Sequence, residues 1–189
     1  MIESPEIEFN HFGISVFDVL EMETFYTEVL GFVVSDRGVV RDKDIVFLSR
    51  DPSSHHQIIL VEGRTTPQTE TLINQISLRV PSLEHLRLVN ERIEIHTGVT
   101  DITPINHVVA FSVYFRDPEG NRIEVFVDSP WYVDQPHVEA LDLSLSDDEI
   151  LADTEARYSA DPSFVPLAQW RAMFGEKIAR ADAATAALR

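Results

Sequence analysis

The chain has 189 residues, 44% of them hydrophobic, enough for one domain with a sizeable core and a tail. Its 15 Lys and Arg face 32 Asp and Glu, a net charge of −17, so a surface that neutralises nucleic-acid phosphates is excluded. With no cysteine there are no disulfides and no thiolate metal sites, which leaves His, Asp, Glu, Gln and Tyr for any chemistry.

The first residues, MIESPEIEFN, lack a basic segment followed by an apolar one, so no signal peptide is expected. No run approaches the roughly 18 apolar residues of a membrane span. A soluble, cytoplasmic protein without a membrane partner is the expectation. IEFNHFGISV (7–16) then alternates, with Phe12, Ile14 and Val16 on one face and Phe9, His11 and Gly13 on the other. That pattern predicts a half-buried strand. In DVLEMETFYTEVLG, Asp18 and Glu21 have capping-box spacing. Met22, Phe25, Tyr26, Val29 and Leu30 fall at helical spacing, and Gly31 suits a C-terminal cap. Three strand-like runs follow, FVVSD, DIVFLSR and HHQIILVEG, and then a polar linker over 63–70.

The order then starts again. INQISLRV (73–80) alternates, with Ile76, Leu78 and Val80 opposite Gln75 and Ser77. PSLEHLRLVNERI reads as a helix capped by Ser82 with the stripe Leu83, Leu86, Val89 and Ile93. IEIHTGVTDI, HVVAFSVYFRD and NRIEVFVD read as three strands. Strand–helix–strand–strand–strand thus occurs twice, offset by about 64 residues, with His11 aligned on Gln75. Aligning HHQIIL with GNRIEV sets Ile59 against Glu124.

Residues 129–189 leave the pattern. Ser146 and Glu149 form a second capping box, and Leu167, Trp170, Phe174 and Ile178 share one face of a later helix. Such a stripe packs on the body or on a subunit partner, or closes over a site.

The predicted fold class is α+β: two βαβββ modules, about 7–64 and 73–128, forming an open barrel-like cup within a domain of residues 1–128, plus a helical C-terminal extension over 129–189. Each sheet buries one face on its helix, and the two sheets pair edge to edge and curl. The other faces line the cavity, and His11, Gln75 and Glu124 point into it.

HFGISVFDVLEMETFYTEVLGF, HHQIIL and YFRDPEGNRIEVF resemble the vicinal oxygen chelate superfamily, of glyoxalase/bleomycin resistance/dihydroxybiphenyl dioxygenase fold. Within it, residues 7–128 look most like the type I extradiol ring-cleavage dioxygenases. The resemblance implies iron(II), or manganese(II) or another divalent ion in its place, held by two His and one Glu. His11 and Glu124 match the first and last ligand, and Gln75 stands where the family has its second His. It further implies that His56 and His107 handle protons and oxygen charge and that Tyr114 hydrogen-bonds the substrate. The reaction implied is cleavage of a small aromatic diol with O2, in a homo-oligomer. The residue types suit that chemistry: a face of two imidazoles and a carboxylate leaves open metal positions, and His exchanges protons near neutral pH.

Each residue also has a plainer reading. Glu124 could pair with Arg79 or Arg122, His11 could be a satisfied core histidine, and Gln75 could hydrogen-bond without touching metal. Strict alternation would aim His55, not His56, with Gln57 and Ile59, but a residue at the strand entrance need not obey it. His85, His96 and His137 read as surface. Apolar Ile59, where glyoxalase-type relatives carry a fourth carboxylate ligand, argues against a glyoxalase. A non-catalytic small-molecule binder of the same fold, and a metal-dependent isomerase or lyase, are the other functions carried forward.

Overall fold

The computed structural model describes residues 8–66 and 73–187. The start of the first predicted strand and the end of the predicted linker lie outside the described residues.

The first module begins with β1, Phe12–Val16, in which Ile14 and Val16 are buried and Gly13 and Ser15 exposed. Helix α1, Val19–Thr24, starts where the Asp18 carboxylate accepts from the Leu20 and Glu21 amides, and continues as a π-helical turn over Phe25–Val29. The chain leaves it through Gly31 at φ +74°, a left-handed conformation that favours glycine. β2 (Val33–Val40), β3 (Lys43–Ser49) and β4 (Ile58–Glu62) complete a sheet of order β1-β4-β3-β2, with β1 parallel to β4.

The second module repeats this. β5 (Ile76–Arg79) leads to α2 (Leu83–Glu94), capped by the Ser82 side chain. β6 (Thr100–Asn106), β7 (Ala110–Arg116) and β8 (Arg122–Asp128) follow. Their sheet runs β5-β8-β7-β6, again with the first strand parallel to the last. Register supports the sequence alignment directly: Gly13 pairs with Ile59 as Ser77 pairs with Glu124. Ile59 therefore holds the place in the first module that Glu124 holds in the second.

Three details differ from the sequence reading. IEIHTGVTDI is not a strand from its start. Ile93, 0% exposed, completes the apolar stripe of α2, so helical burial overrides the local alternation and β6 begins only at Thr100. The sheets are not joined edge to edge: β1 and β5 are edge strands of separate sheets, and the cup is open. The C-terminal extension is mainly helical, as expected, but also carries short strands. It adds β9 (Trp131–Tyr132), β10 (Glu139–Ala140) and β11 (Val165–Pro166), and β10 extends the second sheet beside β6.

Helix α3, Asp147–Tyr158, carries the predicted capping box of Ser146 and Glu149 and buries Ile150 and Thr154. Arg87 of α2 ties its approach, donating to the Leu143 and Leu145 carbonyls and to Asp147. Helix α4 spans Leu167–Ala187. Its stripe docks only at its start: Leu167 is buried and Trp170 stacks on Tyr132 at 4.7 Å, but Phe174 and Ile178 are 43% and 50% exposed.

The turn DPEGN between β7 and β8 locks the modules together. Glu119 Oε1 accepts from the Phe17 and Asp18 amides at 2.6 and 2.9 Å. The reciprocal half of the predicted Asp18/Glu21 box is thus supplied by the other module. Arg64 donates to the Glu119 carbonyl at 3.1 Å and sits over the Phe17 ring. Beside it, buried Asp117 accepts from the Glu119 and Asn121 amides and from the Asn121 side chain, and Tyr26 donates to it at 3.4 Å. Phe25 packs on Phe115, adding apolar burial to the polar clasp.

Burial pushes the Asp117 carboxyl up to about 6, against hydrogen bonds that lower it. A carboxyl whose folded value lies above its unfolded one opposes folding once it ionises, so its contribution falls as pH rises through this window. Between about pH 3 and about pH 7 the wild type should lose roughly 3 kcal/mol of unfolding free energy relative to Asp117→Asn. Urea unfolding at each pH reads this, and parallel curves for the two proteins would contradict the assignment.

Candidate functional site

The site grows from the pleat of β8. Ile123, Val125 and Val127 are buried on the α2 side, so Glu124 must face the other way. Its neighbours are fixed by register: Tyr114 lies directly across on β7 and Ser77 directly across on β5. Glu124 is 8% exposed and has no arginine partner among the described residues. Arg79 pairs instead with Asp128 at 3.4 Å, and the Arg122 guanidinium lies over the Tyr114 ring at 4.6 Å.

Four neutral donors take the place of a cation. Oε1 accepts from Ser112 Oγ at 2.8 Å and from the Tyr114 hydroxyl at 2.6 Å. Oε2 accepts from Gln75 Nε2 at 2.8 Å and from Ser77 Oγ at 2.6 Å. A carboxylate has about four lone-pair directions, so this one is saturated. The donors offset the desolvation that would otherwise force an unpaired buried charge to neutralise.

A second chain of bonds ends on the same carboxylate. His107 Nδ1–H donates to the His137 carbonyl at 2.6 Å, which turns Nε2 toward Tyr114. Nε2 lies 3.0 Å from the Tyr114 oxygen, whose own proton goes to Glu124. Burial, with the Glu124 hydrogen bond and charge, pushes the Tyr114 phenol up to about 12, so it remains a donor at neutral pH. The His107–Tyr114–Glu124 row can therefore pass a proton or hold a hydroxylated guest in a set orientation.

The first module presents a separate cluster. His56, at the entrance to β4, lies edge-on to His11 with centroids 4.2 Å apart, and near Phe47 at 5.2 Å. His55 Nδ1 meets His56 Nδ1 at 2.9 Å. Burial, then the His11 and His55 rings, holds His56 below the usual imidazole value. His11 Nδ1 contacts Asn10 Oδ1 at 3.0 Å.

The structure therefore brings Gln75, Glu124, Tyr114 and His107 together, and His11 with His56, in two groups. No hydrogen bond or ion pair joins His11 to Glu124. Among the described residues no three His, Cys, Asp or Glu side chains converge as a metal cage would require. The donor chemistry agrees. The Glu124 lone pairs are taken, and Gln75 turns its amide nitrogen, which is not a metal donor, toward the carboxylate. In this arrangement the residues do not fit an iron(II) centre.

Some participants escape a reading of the sequence. Ser77 and Ser112 look like small polar residues of an alternating strand, and only their register beside Glu124 reveals their hydroxyls as ligands of the carboxylate. His137 acts through its backbone carbonyl, which no side-chain pattern announces. His96 is half-buried against Phe25 at 5.3 Å rather than free on the surface. Tyr114→Phe removes one donor from Glu124 and the partner of His107 Nε2. It should destabilise the fold by about 1–3 kcal/mol in urea unfolding, and a change under about 0.5 kcal/mol would contradict the network.

Comparison with known proteins places this geometry. Residues 8–125 match the family model described as Glyoxalase/Bleomycin resistance protein/Dioxygenase superfamily. Biphenyl-2,3-diol 1,2-dioxygenase 3 of Rhodococcus globerulus is 28% identical over 126 residues, covering 63% of this chain and 62% of that protein. The match thus spans less than two thirds of that relative. Among solved structures, a glyoxylase/bleomycin resistance protein/dioxygenase domain from Frankia sp. EAN1pec has a TM-score of 0.57 at 22% identity, covering 66% of this chain and 94% of that one. The fosfomycin resistance protein FosX of Listeria monocytogenes, complexed with Mn(II) and sulfate, has a TM-score of 0.50 at 20% identity, covering 68% and 95%. At those identities the two structures speak to fold alone. With its repeated βαβββ topology and a family match over most of its length, the chain belongs to the glyoxalase/bleomycin resistance protein/dioxygenase superfamily.

Proposed function

We propose that residues 1–128 form a binding unit for a small hydroxylated aromatic molecule, held by the Glu124 network without iron, and that 129–189 are an extension to it. The observation that carries this reading is the saturation of Glu124 by four donors, with Gln75 where the resemblance calls for a second His. Ser77, on the edge strand β5, is the exposed member of that set. A phenolic hydroxyl takes its place and donates to Glu124 Oε2. Tyr114 and His107 then orient the oxygen, and the half-buried Phe47 with His56 offers an aromatic wall.

A second reading, iron(II)-dependent extradiol cleavage of a catecholic diol with O2, draws on two observations. One is the likeness to biphenyl-2,3-diol 1,2-dioxygenase 3. The other is the row of His107, Tyr114 and Glu124, in the order that the resemblance assigns to acid–base and substrate-binding groups. That reading needs His11, Gln75 and Glu124 to rearrange around a metal, and His56 and His107 to act on protons. No helix among the described residues is long and apolar enough to cross a membrane, and cytoplasmic location remains part of the proposal. So does a homo-oligomer, which the exposed Phe174 and Ile178 of α4 favour.

Calorimetric titration of catechol into chelator-treated protein separates the readings. We expect saturable binding without metal, weakened about tenfold or more by Glu124→Gln, the usual effect of losing a charged hydrogen-bond acceptor. No oxygen uptake should follow addition of iron(II). Stoichiometric iron with catechol-dependent oxygen uptake would replace this reading with the second.

A further inference from the structure

A cleft of about 810 Å³ lies between the two modules. Its volume falls within the roughly 300–1,000 Å³ of small-molecule sites. Leu30 and Phe32, after the π-helical turn, line it from the first module. Leu78 of β5, Val80 just after it, and Leu88 and Val89 of α2 line it from the second. These walls are apolar although they open to solvent; Leu88 is 44% exposed.

The charge of the lining is the opposite of the chain's. Arg50, Arg79, Arg92 and His85 contribute to it, and among the described residues no Asp or Glu does. In a protein with 32 acids and 15 bases, that segregation marks the cleft as a locally positive surface. Arg79 is engaged with Asp128, and Arg92 Nη1 donates to the Val29 carbonyl at 3.3 Å. The Arg50 guanidinium has no hydrogen-bond or ion-pair partner among the described residues; only its backbone amide is engaged, with Gln57. An unpaired guanidinium offers a planar fork of donors to a carboxylate.

We infer that this cleft is a binding site for an anionic amphiphile: a carboxylate on Arg50 and the remaining Arg92 donors, with an alkyl or aryl body along the apolar walls. Burial of the body provides most of the affinity, and the arginines select an anion over a cation of equal length. The site needs neither metal nor the Glu124 carboxylate, although Ser77 touches both the cleft and that network.

The test is calorimetric titration of the full chain with dodecanoate below its micelle-forming concentration, beside dodecyltrimethylammonium. Two variants at exposed positions, Arg50→Gln and Leu88→Glu, are titrated alongside, with circular dichroism to verify the fold. Dodecanoate should saturate one site, and dodecyltrimethylammonium should not compete. Arg50→Gln should weaken dodecanoate about tenfold, the usual effect of losing one charge-assisted hydrogen-bond donor. Leu88→Glu, which adds a carboxylate to the wall, should abolish saturation. Equal binding of the two amphiphiles, or no saturable binding, overturns the proposal. Loss with Leu88→Glu but not with Arg50→Gln reduces the cleft to an apolar groove without anion recognition, and overturns it as well. Weakening with Arg50→Gln alone puts the ligand outside the cleft and likewise overturns it.

Discussion

A carboxylate buried in a β-sheet must find donors or a cation, and here it finds donors. Glu124 is held from both strands that flank β8: Ser77 on β5, with Gln75 immediately before it, and Ser112 and Tyr114 on β7. Each partner is placed by strand register, so the site's polarity follows from the pairing of β5, β8 and β7. The same pleat sends Ile123, Val125 and Val127 into the core, which couples the position of Glu124 to the packing beneath it. Removing any donor exposes part of the desolvation cost of the charge, so a guest that displaces one must itself donate to the carboxylate.

The second constraint is the joint between modules. Two sheets that do not share hydrogen bonds need another tie, and the DPEGN turn supplies it. Glu119 caps the start of α1 in the other module, Asp117 receives the Tyr26 hydroxyl, and Phe25 packs on Phe115. A motif that reads as a family signature is thus a mechanical element. It fixes the angle between modules and so shapes the cleft between β1 and β5, while the reactive groups are supplied elsewhere.

Much of this was legible in the residues. Alternation located β1, β5 and β8, the Ser82 and Ser146 caps located α2 and α3, and the repeat offset matched Ile59 to Glu124, as register verifies. Failures came where one period overlaid another. Ile93 and Ile95 alternate like a strand, yet Ile93 is the last buried residue of a helix and Ile95 is exposed. Long-range polar partners were also invisible: no local pattern says that Asp18's amide meets Glu119, or that His107 leans on the His137 carbonyl. The sequence placed His11, Gln75 and Glu124 on inward faces, but facing a common cup does not set the distance between side chains. That distance depends on how the modules meet.

The central claim is that Glu124 is a hydrogen-bonded carboxylate rather than a metal ligand. Anaerobic soaking of crystals in iron(II), with anomalous diffraction at the iron edge, tests it most directly. The account predicts no anomalous peak between His11 and Glu124, and a carboxylate still bonded to Gln75, Ser77, Ser112 and Tyr114. An iron atom bonded to both His11 and Glu124, with Gln75 turned away or coordinating through its oxygen, would contradict it.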